Sequence, residues 1–220
     1  WAGDLGFDPD NLVPRLLDDP SPRVRLMAGI ACGKLRSKGT LDSLTELIVK
    51  ADNNETVLRH AGICGLAGAV TPSELKGLSK HSSEALRIAA VVALRRQRSF
   101  EELTVFLEDA SSQVMSDAAR ALYDEASGET FTDHPDILSA LAKCLHPSRP
   151  APVNVRAIAA NRRLGTIEAA RRVVAFLVTP KLDPALRIES LYSLESWPDA
   201  STLDPMDGRH FPVSQGDPDV

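Results

Sequence analysis

His60 and Cys64 stand four residues apart. On a helix that spacing puts both side chains on one face, where they can present two ligands to a zinc ion. A zinc site needs three or four ligands, and no further one is evident nearby, so packing on a half-buried helix is the preferred reading. Cys144 and His146 are two residues apart, which on a helix turns them in different directions. A cysteine–histidine nucleophile pair can be assembled from distant positions. Nothing marks Cys144 as activated, however, and a core cysteine beside a surface histidine is expected. Asp133, His134 and Asp136 form a third cluster, with the residue types to touch a cation. Asp133 ahead of His134-Pro135 also suits a helix N-cap, and the cap is preferred. With Cys32 the cysteines number three and lie far apart, which is no disulfide framework.

The arginines are the other group able to do chemistry. Residues 151–197 hold seven Lys or Arg against four acids, whereas 198–220 hold one base and five acids. Arg162, Arg163, Arg171 and Arg172 make a candidate anion patch, and Arg95, Arg96 and Arg98 a second cluster. The blander reading, which is preferred, has them complementing helix C-terminal dipoles and pairing between helices. A net charge of −5 argues against a broad nucleic-acid face. Trp1 and Trp197 stand at the two ends, unlike an aromatic-lined glycosylase face. No Gly-rich phosphate loop, nucleophile elbow or paired-carboxylate motif is recognisable. No catalytic, metal-binding or cofactor-binding residue is therefore assigned, and no cofactor is expected in this segment.

Helices must position all of these residues. Aromatic content is 5% against 43% hydrophobic overall, a composition for closely packed helices rather than sheets. Six stretches, 22–37, 55–69, 83–99, 112–126, 153–166 and 184–197, share one pattern. The aligned position holds Arg25, Arg59, Arg87, Met115, Arg156 and Arg187. Three places on stand Ala28, Gly62, Ala90, Ala118, Ala159 and Ser190. Seven places on stand Cys32, Leu66, Leu94, Leu122, Arg163 and Leu194, the fifth copy breaking step with Leu164 one place late. Successive copies lie 34, 28, 28, 41 and 31 residues apart. Positions three, four and seven apart share a helical face, and small residues there let a neighbouring helix come close. An arginine at a helix start is badly placed against the dipole. It is expected to have a partner, a carboxylate or turn carbonyl of an adjacent repeat.

A second amphipathic set, 11–18, 41–51, 73–80, 100–109, 136–146 and 167–178, precedes the first, copy by copy. Together they make six hairpins, each an A helix followed by a B helix. Turns are signalled at Asp19-Pro20-Ser21-Pro22, Asp52-Asn53-Asn54, Thr71-Pro72 and Asp183-Pro184, where Pro suits a helix start. Ser99 with Glu102 three places on has the form of a capping box. The expected fold is an all-α solenoid of about six antiparallel hairpins over 1–197. A Pro-rich acidic tail or linker, 198–220, follows it.

Val24-Arg25 with Ala28, Leu58-Arg59 with Leu66, Leu86-Arg87 with Ala90 and Leu94, and Leu186-Arg187 with Leu194 resemble the HEAT repeat. The similarity is closest to its short bacterial form, as in the bilin-lyase-type repeat. Met115 in place of Arg, the insert 127–135 and the Pro-rich stretch 146–152 depart from it. Glu195-Ser196-Trp197-Pro198 and Asp207-Gly208-Arg209 resemble the junction after the HEAT segment in planctomycete-type propeller, HEAT and cytochrome c proteins. No Cys-x-x-Cys-His motif is present in this sequence. The resemblance implies a superhelical scaffold whose concave face holds a protein segment or a neighbouring domain of the same chain. The alternative is a lyase-like or glycosylase-like HEAT module.

The sequence opens on Trp1 without a Met or signal-peptide pattern, and is expected to be a piece of a larger bacterial protein. It would be periplasmic or extracytoplasmic if the multidomain resemblance holds, and cytoplasmic otherwise. No apolar run is long enough for a membrane span. The tail is expected to fold back as a strap anchored by Phe211, with a flexible linker as the alternative.

Overall fold

The computed structural model describes residues 8, 11–52, 54–125, 135–197, 203, 204, 206 and 208. Among them the fold is all-α, with no β-strand. The helices are α1 (Leu12–Arg15), α2 (Pro22–Leu35), α3 (Leu41–Ala51), α4 (Thr56–Ala69), α5 (Pro72–Gly77) and α6 (Glu84–Gln97). They continue with α7 (Phe100–Leu103), α8 (Ser112–Glu125), α9 (Pro135–Lys143), α10 (Ala151–Leu164), α11 (Ile167–Leu177) and α12 (Pro184–Glu195). Tighter 3₁₀ turns at Leu16–Asp18, Leu78–Lys80 and Thr104–Glu108 extend α1, α5 and α7. The order is that of six A–B hairpins, the α-solenoid pattern. The chain divides into two compact units, Trp1–Phe106 and Leu107–Val220.

Helix boundaries follow local chemistry. Pro occupies the first turn of α2, α5 and α12, where its missing N–H costs nothing. The capping box is at Thr71, not Ser99. The Thr71 side chain accepts from Glu74 N, and the Glu74 carboxylate accepts from Thr71 N at 2.9 Å. Ser99 sits at the N-cap of α7 without a side-chain bond. Asp183 caps α12 by accepting from Ala185 N at 2.8 Å. Asp133 and His134 lie outside the described residues.

In the first unit α2 and α4 cross almost at backbone contact. A Cβ at Gly33 would run into the Cys64 carbonyl oxygen, and one at Gly68 into the Gly33 carbonyl oxygen. A Cβ at Gly62 would meet the Ile48 side chain of α3, and one at Gly65 that of Leu44. Small residues at these positions set how closely the B helices and the A helix pack. The residue three places after the repeat arginine is buried in all six copies. Seven places after it, Cys32, Leu66, Leu94 and Leu122 are fully enclosed.

The second unit keeps that register where the sequence suggested a slip. Arg163, not Leu164, takes the core position of the fifth copy and is buried. Leu164 stays half-buried against Trp197 and its neighbours. The core here gathers Ile158, Phe176, Leu182 and Leu186 on one side, and Ala169, Ala170, Val173 and Trp197 on the other.

Candidate functional site

The repeat arginines act on turns. Arg25 Nη1 donates to the carbonyls of Asp19 at 2.8 Å and Pro20 at 3.2 Å. Arg87 Nη1 donates to those of His81 at 2.8 Å and Ser82 at 3.1 Å, and Arg187 Nη2 to Thr179 at 3.2 Å. In each case the acceptor lies in the turn of the arginine's own hairpin rather than in an adjacent repeat. These carbonyls end an A helix and have no intrahelical donor, so the cation satisfies them where the dipole is negative. Arg156 differs. It grips both oxygens of Asp124 on α8, at 3.0 and 2.8 Å, and so reaches the preceding repeat. Arg59 stands half-buried in the first turn of α4.

The candidate anion patch is not one surface. Arg162 and Arg163 are buried, Arg171 is exposed, and Arg172 donates from Nε to Asn161 Oδ1 at 2.8 Å. Arg162 donates to the Ser196 carbonyl and lies over the Trp197 ring, 5.3 Å from its centroid. Burial holds its pKa below the ordinary arginine value. Arg163 stacks on the Tyr123 ring at 4.5 Å and donates from Nε to Asp204 Oδ2 at 2.8 Å. Tyr123 Oη donates to the same oxygen at 2.7 Å. Asp204, from the tail, is thus enclosed in the second unit. Burial pushes its carboxyl up, but the Tyr123 and Arg163 hydrogen bonds and the Arg163 charge outweigh that and hold it below the usual aspartate value. The tail does reach back to the helices, with Asp204 as an anchor; Phe211 lies outside the described residues. Sequence reasoning missed Tyr123 and Asp204, and only the tail's excess of acids pointed toward them.

The cysteines separate by environment. Cys32 is fully enclosed, and burial pushes its thiol up to about 11. Cys144 is also buried and raised by desolvation; its thiol donates to the Ala140 carbonyl at 3.4 Å, while His146 is exposed and turns to Ser148 Oγ at 2.7 Å. Cys64 is half-exposed on α4. Its Sγ lies 3.5 Å from His60 Nε2 and 3.2 Å from Arg96 Nη1 of α6. A guanidinium at that distance opposes a metal cation, and no metal-ligating group of three or more occurs among the described residues. The same geometry suits a thiol that reacts: imidazole to take the proton, guanidinium to hold the charge left on sulfur.

These side chains belong to a longer row. One and five places after the repeat arginine stand Leu26 and Ile30 on α2, His60 and Cys64 on α4, and Ile88 and Val92 on α6. His60 is exposed and the other five are half-buried. At 3.6 residues per turn they point away from the side that Gly62 and Gly65 turn to α3. A separate cavity of about 440 Å³ lies in the same unit, lined by Arg15, Asp18, Arg25, Glu46, Lys50 and Glu55 among others. Lys50 there pairs with Glu46 at 2.8 Å and with Asp18 at 3.4 Å, a lining whose charges offset one another.

No family model and no curated protein matches this sequence. Among solved structures, an engineered protein is 19% identical with a TM-score of 0.47, covering 87% of this chain and 99% of that one. A designed armadillo repeat protein is 19% identical with a TM-score of 0.46, covering 85% and 99%. Another designed armadillo repeat protein, in complex with peptide (KR)4, is 19% identical with a TM-score of 0.48, covering 86% and 100%.

Proposed function

We propose that this chain is a protein-interaction module that holds an extended segment of a partner across the outward row of its B helices. One observation carries the reading. Across the three B helices of the first unit the packing positions stay small or apolar and buried, while the outward pair changes chemistry: Leu26 and Ile30, His60 and Cys64, Ile88 and Val92. A scaffold that reads a linear ligand residue by residue needs that division. The arginines support it, because those at the hairpin turns are committed to carbonyls within the fold. Their spacing also supports the finer assignment to the short bacterial HEAT form. Arg96 beside Cys64 places positive charge toward one end of the row, so the expected segment is apolar with a carboxylate at that end. A random peptide library displayed against the protein tests this. Selected binders should lose affinity at least tenfold on Ile30→Asp or Val92→Asp. Binders indifferent to both changes would remove the row as the binding face.

One observation favours a second reading, thiol chemistry at Cys64: the imidazole and guanidinium within hydrogen-bond reach of its sulfur. Selective reactivity of Cys64 is its measurable consequence.

No helix among the described residues is long and apolar enough to cross a membrane.

A further inference from the structure

We infer that Cys64 is a thiol–disulfide exchange site selective for small disulfides that carry carboxylates, which rests on the reading of Cys64 as a reactive thiol. The reaction class follows from where the sulfur stands. Cys64 lies in the interior of α4, where backbone N–H groups are bonded to carbonyls of the preceding turn. Those groups are not available to stabilise the oxyanion of an acyl transfer. Disulfide exchange needs no such donors, because its charge develops on sulfur. Arg96 Nη1, 3.2 Å from Cys64 Sγ, is placed to hold that charge, and His60 Nε2, at 3.5 Å, to take the proton. Cys64 gives its proton to His60, and the thiolate attacks one sulfur of the disulfide. The S–S bond breaks, a mixed disulfide forms on Cys64, and the other half leaves as a thiolate that takes the proton back from His60. One disulfide replaces another, so no further oxidant or reductant is consumed.

The preference for carboxylates follows from charge. The three B helices of the first unit, α2, α4 and α6, hold seven Lys or Arg against one acid, Glu84, although the chain as a whole carries −5. Glu84 is in the first turn of α6. It stands twelve residues before Arg96, about 18 Å away along the helix. That is beyond the screening length of about 8 Å at physiological salt, so Glu84 does little to offset the positive charge at the sulfur. Arg96 itself is exposed. One N–H of its guanidinium lies on Cys64, and its remaining N–H groups suit a carboxylate. A carboxylate held there brings its disulfide beside the sulfur that attacks it, which raises the rate by proximity. A disulfide bearing ammonium groups meets like charge instead.

Three reagents test this on the folded full chain: dithiodipropionate, an anion; hydroxyethyl disulfide, neutral; and cystamine, a cation. Peptide mass spectrometry follows the adduct at Cys64. Each rate is divided by that of a short cysteine peptide, which removes the reagent's own reactivity. The corrected rate for dithiodipropionate should exceed that for cystamine at least tenfold, with hydroxyethyl disulfide between them. Arg96→Gln should bring the three together, and Arg96→Lys should keep their order. Should Arg96→Gln lose helix by circular dichroism, salt takes its place: raising the ionic strength should shrink the wild-type ratio. Equal corrected rates in wild type, a preference that survives Arg96→Gln, or one that ignores salt would overturn the selectivity and leave a reactive Cys64 standing. The neutral reagent separates that failure from a deeper one. If hydroxyethyl disulfide modifies Cys64 no faster than Cys32 and Cys144, both the selectivity and the reactive thiol beneath it are overturned.

Discussion

Arg163 and Asp204, 41 residues apart, meet in the interior of the second unit, with Nε of one donating to Oδ2 of the other at 2.8 Å. Arg163 stands where four other copies place Cys32, Leu66, Leu94 and Leu122. A charge at a core position is stable only if it is paired and hydrogen-bonded. The tail supplies the carboxylate and Tyr123 a further donor. Asp204→Asn leaves the guanidinium without its counter-charge and should cost about 3 kcal/mol in a urea melt. Arg163→Leu with Asp204→Leu should recover most of that loss. The pair also sets an acid limb. The folded pKa of Asp204 is lowered, so its contribution is complete above the ordinary aspartate pKa of about 3.9 and lost as pH falls through the lower folded value. Wild type and Asp204→Asn should therefore converge in stability below about pH 4. A constant difference down to strong acid would show that the carboxylate is not the stabilising group.

Three glycines separate packing from backbone freedom. Side chains at Gly33 and Gly68 would collide with carbonyl oxygens across the α2–α4 crossing, whereas Gly77 at the end of α5 has open space around it. Backbone cannot yield as a flexible side chain can. Gly33→Ala and Gly68→Ala should each destabilise by about 1–3 kcal/mol, and Gly77→Ala should be neutral or stabilising by up to about 1 kcal/mol. Equal midpoints for all three in thermal melts would mean that α2 and α4 do not cross this closely.

The six hairpins were legible because the 3.6-residue period and the small residue three places after the aligned position recur in every copy, with Pro-bearing turns at some of them. The slip inferred at Leu164 was not real, since a hydrophobicity pattern cannot anticipate an arginine that a distant carboxylate makes tolerable in a core. Asp204 was hidden for the same reason: nothing in a Pro-rich tail says which of its five acids will be enclosed. The Cys64 cluster was half visible. His60 shares its helix and so shows as a spacing, but Arg96 arrives from the next B helix, and only the crossing of α4 and α6 brings it in.

Met115 shows how the fourth copy manages without its arginine. Arg149, from the turn before α10, lies with Nη1 3.2 Å from Met115 Sδ, donates to the Leu107 carbonyl and binds both Glu108 oxygens at 2.6 Å. It holds the end of the 3₁₀ turn Thr104–Glu108 as Arg25 and Arg87 hold theirs. Glu108 is largely exposed, which discounts that ion pair. Arg149→Ala should cost about 1–2 kcal/mol, chiefly through the carbonyl left without a donor. Met115→Arg introduced into that variant should recover part of the loss in a urea titration. A double variant no more stable than Arg149→Ala would break the equivalence of the two arginines.

The last prediction separates a packed thiol from a reactive one. With iodoacetamide, sulfur attacks the carbon, iodide leaves, and the thiol proton passes to a base. Cys64 has His60 as that base and Arg96 to hold the charge on sulfur meanwhile. Cys32 and Cys144 are both buried, and desolvation raises both thiols, at Cys144 outweighing the Arg149 charge that lowers it. In the folded protein Cys64 should therefore be alkylated first, at least tenfold faster than the other two, with peptide mass spectrometry resolving the sites. Arg96→Gln should slow Cys64 several-fold and leave Cys32 and Cys144 unchanged. Arg96→Lys should restore part of the rate, since a cation returns without the guanidinium geometry. Exposure alone predicts a different pattern, in which Cys64 still reacts first but Arg96→Gln, which if anything opens the sulfur to solvent, leaves its rate the same or faster. That outcome would reduce Cys64 to an accessible cysteine and remove the observation on which thiol chemistry rests.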